Sequence, residues 1–117
     1  SSNPQQPGYS ASLAGPLALT PPRTIADRTP RVPPMDLAEL QTLMDVLYGE
    51  ADRARGVPAT VAWLCEELGE LAQAVRKGTR EQQVHEFGDV LAWLASLANQ
   101  MDISLDDAMQ RYVDNPP

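Results

Sequence analysis

The chain has one cysteine, one histidine and one phenylalanine in 117 residues, and few basic side chains. With Cys65 alone, no internal disulfide can form, and the chain fits a reducing, cytoplasmic compartment. Nine Lys and Arg stand against 16 Asp and Glu, for a net charge of −7. That balance excludes the basic stripe that non-specific binding to duplex nucleic acid requires. No apolar run approaches the roughly 18–20 residues of a membrane span. The stretch from Ser10 to Leu19 is mildly apolar, but it has no basic leader and contains Pro16, so it does not read as a signal peptide. No segment has the two-residue period of a strand, and no internal repeat is visible.

Proline is plentiful, but in one place. Eight of eleven prolines lie in residues 1–34, where three arginines outnumber one aspartate. This composition builds no core, so residues 1–34 are expected to form an extended or disordered leader. Met35 opens a different texture and is a natural start for a helical domain over residues 35–117, which carries −9. An acidic domain still binds polyanions when a divalent cation stands between them.

From Asp36 onward the pattern is helical. Asp36 can cap a helix bearing Leu37, Leu40, Leu43, Met44 and Leu47, which ends near Gly56-Val57-Pro58. A second helix follows Pro58 and closes at Arg76-Lys77-Gly78, where cations suit the negative end of the helix dipole. Thr79 and Gln82 form a capping box for a third helix, and Ser104 starts a short fourth. The predicted architecture is all-α, a four-helix-type bundle. The expected core seam is Val61, Leu64, Leu68, Leu71 and Val75 on the second helix, with Phe87, Leu91 and Leu94 on the third. Eighty-odd residues bury a modest fraction of their surface, so completion of the core by a homodimer or homotetramer is expected.

Two acidic motifs carry the chemistry: Glu66-Glu67-Leu68-Gly69-Glu70 and, after fifteen intervening residues, Glu86-Phe87-Gly88-Asp89. Residues three apart share a helix face, with Cβ atoms about 5–6 Å apart. If the second and third helices are antiparallel, Glu67, Glu70, Glu86 and Asp89 converge beside the seam. Four like charges brought together need a cation, and a set of hard oxygen donors suits Mg²⁺ or Mn²⁺. Gly69 and Gly88 are expected to permit close helix approach. The competing reading is four solvated charges, since Glu is a good helix former.

With its glycines and flanking hydrophobics, the pattern resembles the MazG-type nucleotide pyrophosphohydrolases of the all-α NTP pyrophosphatase group. EELGELAQAVRKG on the second helix and EFGDVLAWLASLANQMDISLDDA beyond it carry the likeness, over roughly residues 36–115. The resemblance implies that Glu67, Glu70, Glu86 and Asp89 hold Mg²⁺, which binds a nucleoside triphosphate while water attacks the α-phosphorus and pyrophosphate leaves. Glu66 is then a supporting acid, a base or a solvent-facing bystander. The family's C-terminal Lys and Asn, which touch phosphate, correspond to Arg111 and Asn115; Arg can grip phosphate with two hydrogen bonds. Arg76, Lys77 and Arg80 offer further cations, in this or a neighbouring subunit.

Trp63, four before Glu67, and Trp93, four after Asp89, extend the acidic stripes and could stack a nucleobase, as well as fill a core. Asn99 could read a base edge or phosphate, or serve a helix end. His85 precedes Glu86 and is expected to point about 100° away from it. Ligation of the same ion is not expected there, and the Glu-x-x-His pairing of carboxylate di-iron bundles is missing. A non-enzymatic helical interaction module remains the alternative with the same fold.

Overall fold

The computed structural model describes residues 35–117; the predicted leader, 1–34, lies outside the described residues. Four helices follow in order: α1 (Leu37–Arg55), α2 (Val57–Lys77), α3 (Arg80–Gln100) and α4 (Leu105–Asp114). No strand occurs among the described residues, so the all-α bundle stands.

The start signals act as expected. The Asp36 carboxylate accepts from the Glu39 N–H at 2.8 Å, and Glu39 returns an acceptor to the Asp36 N–H at 3.2 Å. Thr79 and Gln82 reciprocate in the same way ahead of α3, and Ser104 accepts from the Asp107 N–H ahead of α4. Each box satisfies two backbone donors that the first turn leaves unpaired. Gly56 separates α1 from α2 with φ +91, in the region that penalises a Cβ.

Helices α2 and α3 form an antiparallel hairpin: Gln83 donates to the Ala74 carbonyl at one end, and Gln100 donates to the Thr60 hydroxyl at the other. Helix α1 packs across α3, and α4 packs on α1. Gln41 secures that corner. Its amide donates to Asn99 and to the Ile103 carbonyl, and its oxygen accepts from the Leu105 N–H at 2.9 Å. A small apolar core of Met44, Ala92 and Ala95 is covered by Leu40, Tyr48 and Leu105.

One expectation is corrected. The seam predicted for the core lies largely on the outside of this chain: Leu68 is 47 % exposed and Phe87 55 %, with Val61, Val75, Leu91 and Leu94 also exposed. The buried face carries Thr60, Glu67 and Ala74 of α2 against Glu86, Asp89, Trp93 and Ser96 of α3. Small residues explain this. Ala92 and Ala95 of α3 pack with Met44, Leu40 and Tyr48 of α1, while Thr60, Ala74 and Ser96 leave space on the α2–α3 face for the larger Glu67, Glu86 and Trp93. Gly69 does not mediate close helix approach: it is exposed, and a Cβ there would meet open space.

Candidate metal centre

Helical spacing places Glu67 and Glu70 one turn apart on the inner face of α2, opposite Glu86 and Asp89 on α3. Glu67 is wholly buried, Asp89 is 1 % exposed and Glu86 6 %, while Glu70 is half-buried. One carboxylate oxygen each from Glu67, Glu70 and Glu86 lie within 4.8 Å of one another. Asp89 groups with Glu86 and His85 within the same distance, so the four acids named from the sequence are brought together, and Glu67, Glu86 and Asp89 are not solvated charges.

Their electrostatics are unbalanced. Glu70 Oε2, Glu86 Oε2 and Asp89 Oδ1 are buried without a hydrogen-bond donor among the described residues. Burial, then the charges of Glu70 and Asp89, push the Glu86 carboxyl up to about 7. Burial also raises Asp89, opposed by the neighbouring His85 and Glu67 side chains and reinforced by Glu70. Such a group of carboxyls relaxes in two ways, by sharing protons or by taking a cation. The donor set, all hard oxygen at its centre, fits a divalent ion of the Mg²⁺ or Mn²⁺ class.

His85 departs from the sequence expectation. Its Nε2 stands 3.2 Å from Asp89 Oδ2 and 3.8 Å from Glu86 Oε1. The direction of residue 85 relative to 86 was the wrong comparison, because 85 and 89 are one turn apart and share a face. Glu66, by contrast, is exposed and belongs to neither group of carboxylates that could share an ion.

Beyond the acids the inner face continues into a tryptophan pair. Trp63 and Trp93 stack with ring centroids 5.8 Å apart and planes 6° from parallel. Trp93 is wholly buried, with the Arg55 guanidinium 5.0 Å from its ring centroid, and so offers no free face to a base in this arrangement. Trp63 is half-buried. Next comes a polar cluster that the sequence reading missed. Arg55 donates to Asp52 at 2.9 Å and to the Thr60 hydroxyl at 3.3 Å, and Gln100 donates to the same hydroxyl at 2.8 Å. Asp52 and Arg55 lie one turn apart at the end of α1. Only the Gly56 break, which turns α2 back across them, buries the aspartate.

The remaining candidates are dispersed. Lys77 and Arg80 are exposed at the tip of the hairpin, about 10 Å of helix rise from Glu70 and Glu86. Both polar atoms of the Asn99 amide are occupied by Gln41, giving it the helix-end role. Arg111 and Asn115 are exposed on and after α4, which packs on α1 rather than on the acidic hairpin; Arg111 lies against Tyr112. Within one chain, none of these five is brought to the carboxylates.

Comparison with known proteins agrees with this geometry. The chain is 37 % identical over 88 residues to the uncharacterized protein YpjD of Bacillus subtilis (strain 168), covering 66 % of this chain and 79 % of that protein. Residues 55–115, just over half of the chain and including all four inward acids, match the MazG nucleotide pyrophosphohydrolase domain. Sequence pattern, helical hairpin and family match converge: the chain belongs to the MazG nucleotide pyrophosphohydrolase family.

Proposed function

We propose that this chain is a Mg²⁺-dependent nucleoside triphosphate pyrophosphohydrolase, converting a (d)NTP and water to a (d)NMP and pyrophosphate. The observation that carries this reading is the convergence of Glu67, Glu70, Glu86 and Asp89, in which buried oxygens of Glu70, Glu86 and Asp89 lack donors among the described residues. These four residues would hold the ion or ions; Mn²⁺ satisfies the same donors. A bound divalent ion supplies charge neutralisation for phosphate oxygens and acidifies water at the site. Water attacks the α-phosphorus as the bond to the bridging oxygen breaks, its proton passing to solvent and pyrophosphate departing. The acidic chain by itself repels a triphosphate, so its carboxylates serve catalysis only as ligands.

Trp63, half-buried one turn from Glu67, is the platform on which a base could stack, with Trp93 supporting it from behind. Lys77 and Arg80, at the hairpin tip, would supply cations to phosphate in a neighbouring subunit's site. Arg111 and Asn115 would reach a site only if subunits combine, while Asn99 stays with Gln41. Fully burying a large apolar side chain is worth about 1.5–3 kcal/mol. The half-exposed row of Leu68, Phe87, Leu91 and their neighbours therefore leaves several kcal/mol to be gained by association. A homodimer or homotetramer joined through that face fits the row. Among the described residues no helix is long and apolar enough to cross a membrane. A cytoplasmic location belongs to this proposal, on the ground that a single cysteine suits a reducing compartment.

The test is a panel of NTPs and dNTPs assayed with Mg²⁺ for pyrophosphate against single phosphate. Pyrophosphate is the expected product, and Glu70→Gln and Asp89→Asn are each expected to reduce its release at least about a hundredfold. Even partners that only touch a metal ligand are worth ten- to a hundredfold. Full activity in both variants, or stepwise release of single phosphate, defeats the reading.

A further inference from the structure

Two overlapping groups of donors occupy the α2–α3 interface: Glu67, Glu70 and Glu86, all oxygen, and His85, Glu86 and Asp89, which includes a nitrogen. Glu86 is common to both. The ligand atoms of the second group lie within 4.8 Å of one another, with the imidazole Nε2 at 3.2 Å from Asp89 and 3.8 Å from Glu86. Around an ion with bonds of about 2.1 Å, adjacent ligand atoms sit roughly 3 Å apart and opposite ones roughly 4.2 Å. The three side chains are therefore close to a coordinating arrangement without any change of backbone. Independently, Asp89 Oδ1 and Glu86 Oε2 belong to side chains more than nine-tenths buried, and neither atom has a donor among the described residues.

We propose that His85, Glu86 and Asp89 form a second cation subsite, joined to the all-oxygen subsite through Glu86, and that it takes Mn²⁺ or a neighbouring first-row transition ion in preference to Mg²⁺. Ligand chemistry gives the preference. Mg²⁺ is held by carboxylates, carbonyls and water and binds imidazole poorly, whereas transition ions accept a neutral imidazole readily. The inference rests on the four-carboxylate reading, since Glu86 and Asp89 serve both. It adds a ligand that is no part of the Glu-x-x-Glu and Glu-x-x-Asp pattern. In its absence His85 would be only the charge partner of Asp89.

His85 is the chain's sole histidine, which makes the test unambiguous. Tag-free protein loaded with Mn²⁺ is examined by electron spin-echo envelope modulation for ¹⁴N coupling from a directly bound imidazole, with Mn²⁺ and Mg²⁺ affinities measured by calorimetry. The expected result is imidazole coupling in the wild type and its loss in His85→Gln. One Mn²⁺ site should also weaken about tenfold or more, at least what an outer partner of a ligand is worth, while Mg²⁺ affinity changes far less. Circular dichroism checks the variant's fold; if it does not fold, the wild-type spectrum decides, because no other imidazole exists. Mn²⁺ bound without nitrogen coupling overturns the His85 subsite and leaves the four-carboxylate reading standing. No Mn²⁺ or Mg²⁺ binding by the wild type overturns both.

Discussion

Two clusters of buried polar groups share the inner face of the α2–α3 hairpin, separated by the stacked tryptophans, and they are built on opposite principles. At the Thr60 end, Asp52 is matched by Arg55, and Arg55 and Gln100 both donate to the Thr60 hydroxyl. At the other end four carboxylates face one another, with His85 the nearest side chain able to carry positive charge. A chain that balances buried charge from its own residues is using that charge to hold helices together. One that leaves negative charge in excess is poised for a ligand. On the proposed function, the first kind of cluster serves stability and the second activity, and single substitutions separate them.

The largest contrast is between Asp52→Asn and Glu70→Gln. Removing one partner of a buried ion pair leaves the other charge uncompensated and costs about 3–5 kcal/mol. Asp52→Asn is thus expected to lower the metal-free unfolding free energy by about 3 kcal/mol, read as a shifted urea midpoint. Glu70→Gln removes one of several mutually repelling charges. Metal-free, it should be as stable as the wild type or more so, although its pyrophosphate release is lost. If Glu70→Gln destabilises the metal-free chain as much as Asp52→Asn does, the acidic cluster is structural and the distinction between the two ends fails.

A subtler effect comes from pH. The Glu86 carboxyl titrates near 4.5 when unfolded and about 7 when folded, so the native state binds the extra proton between those values. Its contribution to stability is fully present below about 4.5 and is lost as pH rises through about 7, with Asp89 shifted in the same direction. The slope is at most about 1.4 kcal/mol per pH unit for each proton. With a chelator present, the melting temperature should fall between pH 5 and 8, and Glu86→Gln should flatten the decline. Millimolar Mg²⁺ should restore stability at pH 8 and do little at pH 5. A chelated protein whose stability rises over that range contradicts the crowding of the carboxyls.

How much of this was legible beforehand depends on which kind of signal is asked to speak. Caps were readable because they are local: Asp36 with Glu39 and Thr79 with Gln82 need only a four-residue pattern. The four acids were readable because two i, i+3 pairs on adjacent antiparallel helices leave few ways to be arranged. The inward face was not readable. Both faces of α2 and α3 carry apolar residues, and hydrophobicity alone favoured the bulkier row of Leu68, Phe87 and Leu91. The buried row instead mixes small residues with the acids and Trp93, and that choice is a property of the pair of helices rather than of either sequence segment. The burial of Asp52 and the contact of His85 with Asp89 were missed for related reasons. The former depends on the turn at Gly56, the latter on a comparison with residue 89 instead of 86.

The smallest effect tests that geometry most finely. Glu66 and Glu67 are adjacent, identical in chemistry and equally part of the acidic motif, yet about 100° of helical rotation puts Glu66 in solvent and leaves Glu67 without exposed surface. Surface substitutions of the Glu66 kind usually change stability by less than about 0.5 kcal/mol. Glu66→Gln is therefore expected to leave the urea midpoint and the Mg²⁺ affinity from calorimetry near wild type. Glu67→Gln should cut that affinity at least about tenfold, by the same comparison with outer partners of metal ligands. Equal losses in the two variants would place residue 66 at the ion as well, which requires α2 to be rotated about its axis from the position described here. The loss of Mg²⁺ affinity in one and not the other fixes the helix by chemistry alone, to within the width of a single residue.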